Sequence, residues 1–481
     1  MKRKLMILTA LIAASPLLFS FCGIYVSKSD GTLKNKASQV IMVRDGNKTV
    51  VTMYNDFKGN VKDFAMVVPV PVVLAKDDIR VVSQQIFQKL NDYSAPRLVE
   101  YYDHNPCMNY DYKEESKAVM LDSAPMSANE KVLMKKSKVT IEAQYLVGEY
   151  DILILSAKES NGLKNWLQQN GYKIPDGAEE VLEPYIKSNL KFFVAKVNKA
   201  KMSSAKGQFL RPIQISFSSP KFMLPIRLGM ANGDGDQDLI VYSFTKSGRV
   251  ECVNYRNVEM PTGNNIPLFV KDDFDKFYSS VFTNQWRKEG KNIGLLEYAW
   301  DVSPVNYMKC DPCVGNPPDL NDMVQAGVWW LNNRDIYNDN GSQTFFTRTH
   351  FRYNRNSFAQ DLVFQVTPNT ENFQARYVVT HPATGSFDCD AGREYLNQLK
   401  SKRRKELREL VTLTGSTLND YLSSTGFEDS DESPAAATTY AALAPTVNRD
   451  LNEKDNGSGA LALFSLAMIS GAAVLRWKGL I

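Results

Sequence analysis

Residues 150–197 read YDILILSAKESNGLKNWLQQNGYKIPDGAEEVLEPYIKSNLKFFVAKV, and they contain two apolar strands separated by two helices. The runs at 150–156 and 192–197 are short and rich in branched and aromatic residues, as is typical of strands. Residues 162–167 indicate a first helix, and the apolar positions within 181–185 have the spacing of a second one. This β-α-α-β segment is the most consistent local pattern in the chain.

The rest of the chain adds mostly strands and then a long helix. Further strands are expected in a hairpin at 37–56 and at 64–73, 213–217, 224–228, 239–244, 250–255, 295–300, 345–353, 362–366 and 376–380. The closing helix is expected at about 393–411. Because strands and helices occur in blocks and do not alternate strictly, the pattern predicts a β-rich α+β body rather than a doubly wound sheet.

The length of 481 residues allows a substantial core and several regions. We expect a signal peptide at 1–20, an α+β body of one or two subdomains at 21–426, a flexible linker at 427–458, a C-terminal transmembrane or sorting helix at 459–475, and a short basic tail at 476–481. The linker is acidic at first and then rich in Ala, Thr and Pro, a composition that favours a disordered stalk.

The N-terminus has the three parts of a secretory signal. Basic residues at 2–4 precede an apolar run at 5–21, and cleavage is expected after Ser20. A lipid anchor on Cys22 is the alternative, but the preceding Phe21 is larger than the small residue that such a site needs. An ordinary cleaved signal peptide is therefore favoured.

The C-terminal apolar segment has about the minimum length that crosses a bilayer as a helix. Asp455 precedes the segment, whereas Arg476 and Lys478 follow it. The positive-inside rule then predicts a single-pass protein with its body outside, in the cell envelope or at the surface, and its C-terminus in the cytoplasm. A soluble core helix and a processed sorting tail are the alternatives. The membrane is thus one expected partner.

The formal net charge of +4 is carried by the two ends of the chain. Five Lys or Arg side chains lie at 2–4, 476 and 478 without any acid beside them, which leaves the body near −1. The charge therefore gives no reason to expect a nucleic-acid partner. A basic stripe on the closing helix is interpreted as a solvated face, with contact to an anionic lipid or polymer as the alternative. It consists of Lys400, Lys402, Arg403, Arg404, Lys405 and Arg408.

The chain has six cysteines, an even number that favours disulfide bonds in an exported protein. Six cysteines allow fifteen pairings, and the sequence does not distinguish among them. The candidates are Cys22, Cys107, Cys252, Cys310, Cys313 and Cys389.

The segment Cys310-Asp311-Pro312-Cys313 provides the one local cysteine pair. It could form a structural disulfide, a redox-active thiol–disulfide pair or half of a metal site. A redox pair needs a stabilised thiolate, commonly at a helix N-terminus, but residues 314–318 indicate a loop. A metal site would need two more soft ligands, and the three histidines are scattered. A structural disulfide is therefore favoured.

Residues 232–238, with the sequence NGDGDQD, resemble a calcium-binding loop that leads into a strand. The candidate ligands are Asn232, Asp234, Asp236 and Asp238. However, the first ligand position falls on Met230, and Val241 occupies the position of the bidentate glutamate in an EF-hand. We interpret the segment as a polar turn and expect no bound metal and no cofactor.

The strand expected at 345–353 carries Arg348, His350 and Arg352 at alternate positions, which places them on one face. They could form an anion-binding stripe or the solvent-facing side of a sheet. The sequence contains no Gly-x-Ser-x-Gly motif, no catalytic-cysteine context and no phosphate-binding glycine loop. No catalytic residues can therefore be assigned.

Several phrases along the chain are specific when they are taken together. They are FCGIYV at 21–26, NKASQV at 35–40, VVPVP at 67–71, YSAPRLVEY at 93–101, WL at 166–167, NGY at 170–172, QDLIVY at 237–242, EYAW at 297–300, CDPC at 310–313 and DLVFQ at 361–365. From about residue 22 to 415 the chain resembles the exported bacterial family called domain of unknown function 2330. The resemblance implies an exported protein, often tethered at its C-terminus, and it transfers no catalytic residues.

These expectations together indicate an exported, membrane-tethered protein with a non-catalytic binding or envelope-structural role and stabilising disulfides. The sequence does not identify the protein or envelope polymer that would be its partner. The alternative function is an envelope thiol–disulfide oxidoreductase that uses Cys310 and Cys313.

Overall fold

The computed structural model describes residues 24–27, 34–58, 64–108, 140–157, 160–173, 178–197, 211–231, 235–304, 316–331 and 342–421. The predicted signal peptide, linker and C-terminal helix lie outside these ranges. Three of the six cysteines, Cys22, Cys310 and Cys313, also lie outside them. Among the helices within the described ranges, none is long and apolar enough to cross a bilayer.

The described residues form twenty strands and six α-helices, which confirms the predicted α+β class. The strands are β1 (Ile24–Ser27), β2 (Lys34–Asp45), β3 (Lys48–Lys58), β4 (Phe64–Val70), β5 (Ile79–Val81), β6 (Arg97–Tyr102), β7 (Thr140–Val147), β8 (Tyr150–Ser156), β9 (Lys191–Val197), β10 (Ile213–Ser218), β11 (Met223–Leu224), β12 (Gln237–Thr245), β13 (Val250–Cys252), β14 (Arg256–Glu259), β15 (Asn264–Asn265), β16 (Ile293–Asp301), β17 (Phe345–Tyr353), β18 (Leu362–Val366), β19 (Phe373–Gln374) and β20 (Arg376–His381). The helices are α1 (Gln85–Ser94), α2 (Ser160–Gln169), α3 (Ala178–Lys187), α4 (Phe274–Lys288), α5 (Leu320–Ala326) and α6 (Asp390–Thr414).

The strands form four sheets. The largest has nine strands in the order β14-β16-β17-β12-β2-β3-β10-β5, with β19 paired to β16. A five-stranded sheet has the order β1-β4-β9-β8-β7, and two three-stranded sheets have the orders β11-β18-β13 and β15-β20-β6. Within the largest sheet, β17 lies between β16 and β12 and is antiparallel to both.

The largest sheet carries apolar side chains on both faces. Alternate residues of a strand point to opposite sides of the sheet, so neighbouring apolar residues contribute to different faces. Val40 and Met42 of β2 pack against the five-stranded sheet, whereas Ile41 and Val43 face the other way. Helices α2 and α3 cover the outer face of the five-stranded sheet through residues such as Trp166. The predicted β-α-α-β segment is thus β8-α2-α3-β9, and β8 and β9 are antiparallel neighbours.

Two groups of helices cover the second face of the largest sheet. Helices α1 and α5 pack on one part of this face through side chains such as Phe87 and Met323. Helices α4 and α6 pack on another part through side chains such as Phe282 and Leu410. Between α1 and α4, the sheet carries charged side chains that contact both helices.

Helix α6 confirms the predicted closing helix and extends beyond it at both ends. Its first turn is capped by Cys389, whose Sγ accepts a hydrogen bond from the Gly392 amide at 3.2 Å. The predicted solvated face of this helix is wrong for Arg403, which is buried. Arg403 donates hydrogen bonds to Glu406 at 2.7 Å and to the Thr380 carbonyl at 2.8 Å.

Candidate functional site

The three alternating side chains of β17 lie on the face of the sheet that carries the helices. Arg348 lies opposite Tyr242 of β12, and Arg352 lies opposite Asp238. Only 5% of the Arg348 side chain, 14% of His350 and 16% of Arg352 is exposed. The stripe is therefore neither a solvent face nor an open anion site, because α4 and α1 cover it.

A bulge in the neighbouring strand supplies the first carboxylate. The register between β16 and β17 pairs Leu296 with Thr349 and Tyr298 with Arg348, which leaves Glu297 as an extra residue. Such a bulge changes the direction of a side chain relative to a regular strand. As a result, the carboxylate of Glu297 reaches the face on which Arg348 lies, although Tyr298 is directly paired with that residue.

Glu297 contacts two of the β17 cations. Its Oε2 accepts a hydrogen bond from Arg348 Nε at 2.5 Å, and its Oε1 lies 2.9 Å from His350 Nδ1. The hydroxyl of Tyr278 in α4 also donates to Oε1. The Glu297 side chain is completely buried, so these partners replace all of its contacts with water.

Asp238 supplies the second carboxylate at the other end of the stripe. Arg352 donates to it through two nitrogens, from Nε to Oδ1 at 2.8 Å and from Nη2 to Oδ2 at 3.0 Å. His350 Nε2 lies 3.3 Å from Oδ1. Together, Asp238, Glu297, Arg348, His350 and Arg352 form what we call the buried charge cluster.

Side chains of the helices and the sheet complete the surroundings of the cluster. Asn91 of α1 accepts a hydrogen bond from Arg348 at 3.0 Å, and Thr283 of α4 accepts one from Arg352 at 3.0 Å. The ring of Phe282 lies 4.1 Å from the His350 ring and 4.7 Å from the Arg352 guanidinium. Its face favours a cation at this distance.

The cations determine the protonation of both carboxylates. Burial alone would raise the pKa of Glu297, but the positive charges of Arg348 and His350 outweigh burial and lower the pKa from 4.5 to about 2. Burial would likewise raise the pKa of Asp238, but hydrogen bonds and charge from His350 and Arg352 hold it well below its usual value. Both groups are therefore ionised at neutral pH.

The carboxylates in turn favour the cationic form of the histidine. Burial alone would lower the pKa of His350, but Glu297 and Asp238 raise it overall. Each ring nitrogen faces a carboxylate oxygen, and only the protonated ring can donate from both nitrogens. The cluster is therefore a network of three cations and two anions in which each charge contacts an opposite one.

Sequence analysis singled out four of the five cluster residues and missed Glu297. It interpreted Asp238 as part of a polar turn, with a calcium-binding loop as the alternative. The signal that could have identified Glu297 is its position as a lone acid inside the apolar strand β16. A carboxylate buried in such a strand needs a cation partner. The opposing strand β17 provides that partner.

The cysteines are only partly described. Cys107 and Cys389 form a disulfide with a Cα–Cα distance of 5.8 Å, between the segment after β6 and the start of α6. Cys252 differs from the expectation, because it is a free thiol buried in the core and its Sγ lies 3.3 Å from Asn254 Oδ1. Because Cys310 and Cys313 lie outside the described residues, the redox hypothesis stays a prediction.

Only two of the four candidate calcium ligands, Asp236 and Asp238, lie within the described residues. Asp238 is already bound by two cations, and Asp236 accepts a hydrogen bond from Asn354. Asn232 and Asp234 lie outside the described residues. In the ranges that the structure describes, no group of three or more His, Cys, Asp or Glu side chains could hold a metal ion.

Comparison with known families places the chain in a group of bacterial proteins. The model of the family described as uncharacterized protein conserved in bacteria (DUF2330) matches residues 16–365. This range includes the whole buried charge cluster, whereas Cys389 and α6 lie beyond it. Searches of curated proteins and of solved structures gave no match. In agreement with the resemblance seen in its sequence, the chain belongs to the DUF2330 family.

Proposed function

We propose that this protein is an exported, membrane-tethered domain that binds an envelope component or supports the envelope without catalysis. The observation that carries the proposal is the disulfide between Cys107 and Cys389. Disulfides persist in the periplasm and at cell surfaces and are rare in the cytosol. The disulfide therefore supports the proposal that the body folds after export.

The position of the disulfide supports a structural role for the bond. Its two cysteines are separated by 282 residues in sequence. Crosslinks that close long loops restrict the unfolded chain most. In the folded protein, the bond joins α6 to the segment that follows β6, an edge strand of the parallel three-stranded sheet.

The buried charge cluster supports a structural rather than a catalytic use of its charges. A general acid or base needs a proton or a lone pair that a substrate can reach. Both nitrogens of His350 face carboxylates, and all four oxygens of Glu297 and Asp238 are occupied by neighbours. These contacts connect three strands of the largest sheet to α4 and α1.

Export is tested by expressing the full chain and treating intact spheroplasts with an external protease. We expect the body to be digested and the Cys107–Cys389 peptide pair to appear in non-reducing mass spectrometry. A variant without residues 2–20 is the control, and it should remain protected with Cys107 and Cys389 as free thiols. Protection of the full chain, with the same cysteines reduced, would contradict export.

Tethering is tested with a chain that ends at residue 458. The full chain should sediment with the membrane fraction and resist extraction by carbonate. The shortened chain should be released as an exported soluble protein, because the apolar segment is the proposed anchor. Retention of the shortened chain in the membrane fraction would show that 459–475 is not the anchor.

A further inference from the structure

A second candidate site lies on the opposite side of the largest sheet from the buried charge cluster. A groove of about 670 Å³ opens where the β2–β3 turn, the segment before β11 and strand β18 meet. Its lining includes two cations, Arg44 and Lys221, and an apolar wall that contains Phe222, Phe364 and Val366. A volume of this size suits a small organic ligand.

Arg44 is the unusual residue of this groove. It is only 6% exposed, yet its hydrogen-bond partners are all neutral. Its Nη1 donates to Thr49 Oγ1 at 2.6 Å and to the Ser219 carbonyl at 2.9 Å, while Nη2 has only a 3.4 Å contact to the Pro220 carbonyl. Burial lowers the pKa of Arg44. Among the described residues, the guanidinium therefore contacts neutral oxygens and the Phe222 ring but no carboxylate.

Most other buried arginines of this protein are compensated differently. Three of the four other buried arginines that the structure describes hold a carboxylate within hydrogen-bonding distance, in the pairs Arg249–Glu259, Arg348–Glu297 and Arg403–Glu406. The fourth, Arg97, donates to the Tyr93 carbonyl. Among the residues that the structure describes, no carboxylate pairs with Arg44 or with the exposed Lys221, and the adjacent Asp45 pairs with Lys246. A buried cation without a counterion is costly, and a bound anion would remove that cost.

The rest of the groove is suited to an apolar group beside the anion. The ring of Phe222 lies 5.2 Å from the Arg44 guanidinium carbon and 5.5 Å from the ring of Phe364. Val366 is 37% exposed at the groove. Phe222 and Phe364 are each only 5% exposed, so of these three side chains Val366 offers the most surface that the apolar part of a ligand would remove from water.

We propose that this groove binds an organic anion in which a carboxylate is joined to an apolar body. The carboxylate contacts Arg44 and Lys221, and the apolar body lies along Phe222, Phe364 and Val366. The proposal rests on the proposed binding role and gives that role a ligand class. Arg44 is suited to the task because a guanidinium binds a carboxylate through two nitrogens.

The test is isothermal titration of the full chain, in non-ionic detergent, with 4-phenylbutyrate as the probe. Acetate carries the charge without the apolar body, and 4-phenylbutan-1-ol carries the apolar body without the charge. We expect saturable binding of 4-phenylbutyrate that is at least about tenfold tighter than that of either control, since both halves contribute. Equal binding of the alcohol, or no saturable binding of 4-phenylbutyrate, would overturn the proposal.

Three variants locate the binding. Arg44→Gln should weaken the probe by about tenfold or more, and Lys221→Ala by about threefold, because the exposed lysine is screened by water. Val366→Asp places a negative charge at a position that is already exposed, so it should abolish binding of the anionic probe. This variant keeps the groove testable if Arg44→Gln proves unstable. Lys288→Ala on α4 removes a lysine on the other face of the sheet, and it should leave the affinity unchanged.

The outcome separates this inference from the proposed function. Unchanged affinity in both Lys221→Ala and Val366→Asp would show that the probe binds elsewhere, and the groove proposal would fail. The export and disulfide results would not be affected by that failure. Conversely, a reduced, cytoplasmic protein that still binds 4-phenylbutyrate in the groove would refute the proposed function alone.

Discussion

Arg348 Nε donates to Glu297 Oε2 at 2.5 Å, and both side chains are almost completely removed from water. Two strands of the largest sheet are joined by this contact between unlike charges. A buried ion pair is not itself strong evidence of stability, because desolvation opposes the attraction. Loss of one partner is costly, however, because the other is left buried and unpaired.

We therefore expect Glu297→Gln and Arg348→Met each to lower the free energy of unfolding by about 3–5 kcal/mol. The double variant should lose much less than the sum, because neither charge is then left alone. Denaturant-induced unfolding of the four proteins measures this coupling. As a control, Arg256→Met removes the exposed partner of Glu289 and should cost about 1 kcal/mol or less. A similar loss in the control and in Glu297→Gln would contradict the structural role.

The stability contributed by the cluster should depend on pH at both ends of the range. Because the pKa of His350 is raised in the folded protein, the histidine stabilises the fold below about pH 6.5. This contribution is lost as the pH rises through the pKa of His350 in the folded state. The pKa of Glu297 is lowered from 4.5 to about 2, so its contribution to stability is present above about pH 4.5 and is lost as the pH falls towards 2. Stability from the cluster should be greatest between these two limits.

The measurement is denaturant unfolding at a series of pH values for the wild type and for His350→Gln. The variant should lose stability at pH 5 and should no longer weaken as the pH rises above 6.5. His381→Gln is the matched control, since His381 contacts Glu100 at 2.7 Å outside the cluster. An unchanged pH profile for His350→Gln would show that the histidine is not held as a cation.

Removal of the disulfide should destabilise the body. In the double variant Cys107→Ser/Cys389→Ser we expect a loss of about 2–5 kcal/mol, towards the upper end because the closed loop is long. Guanidinium-induced unfolding of the oxidised protein measures the difference. Cys252→Ala, which removes a free thiol, is the control and should cost about 1 kcal/mol. Equal stability of the double variant and the wild type would contradict the assigned crosslink.

Gly392 should tolerate no side chain, because a Cβ there would lie 2.6 Å from Cys107 Sγ and 2.8 Å from the Phe387 carbonyl oxygen. Gly392→Ala should therefore destabilise the protein by about 1–3 kcal/mol and lower the thermal midpoint. Gly162→Ala in α2 is the matched helical control, since a Cβ added at that position would have no neighbour within 4 Å. That variant should be neutral or stabilised by about 0.5–1 kcal/mol. A higher midpoint for Gly392→Ala would contradict the close packing at the disulfide.

Local patterns predicted much of the fold correctly. The hairpin at 37–56 is β2–β3, and the helix expected at 393–411 is the central part of α6. Its first turn was missed because Cys389 is not among the residues that usually cap helices. Arg403 was assigned to solvent because a stripe of cations does not reveal that one of its members meets Glu406 and a strand carbonyl.

The sequence by itself determined the positions of most strands and helices, the α+β class and the family, because these depend on neighbours along the chain. Tertiary structure alone decided that Cys107 meets Cys389, that Cys252 stays free, and that Glu297 lies beside Arg348. These relationships depend on strand order, register and one bulge, which bring together residues far apart in sequence. The alternation of residues along a strand indicates which face of the sheet a side chain occupies. Only the packing of the strands determines which charged side chains meet on that face.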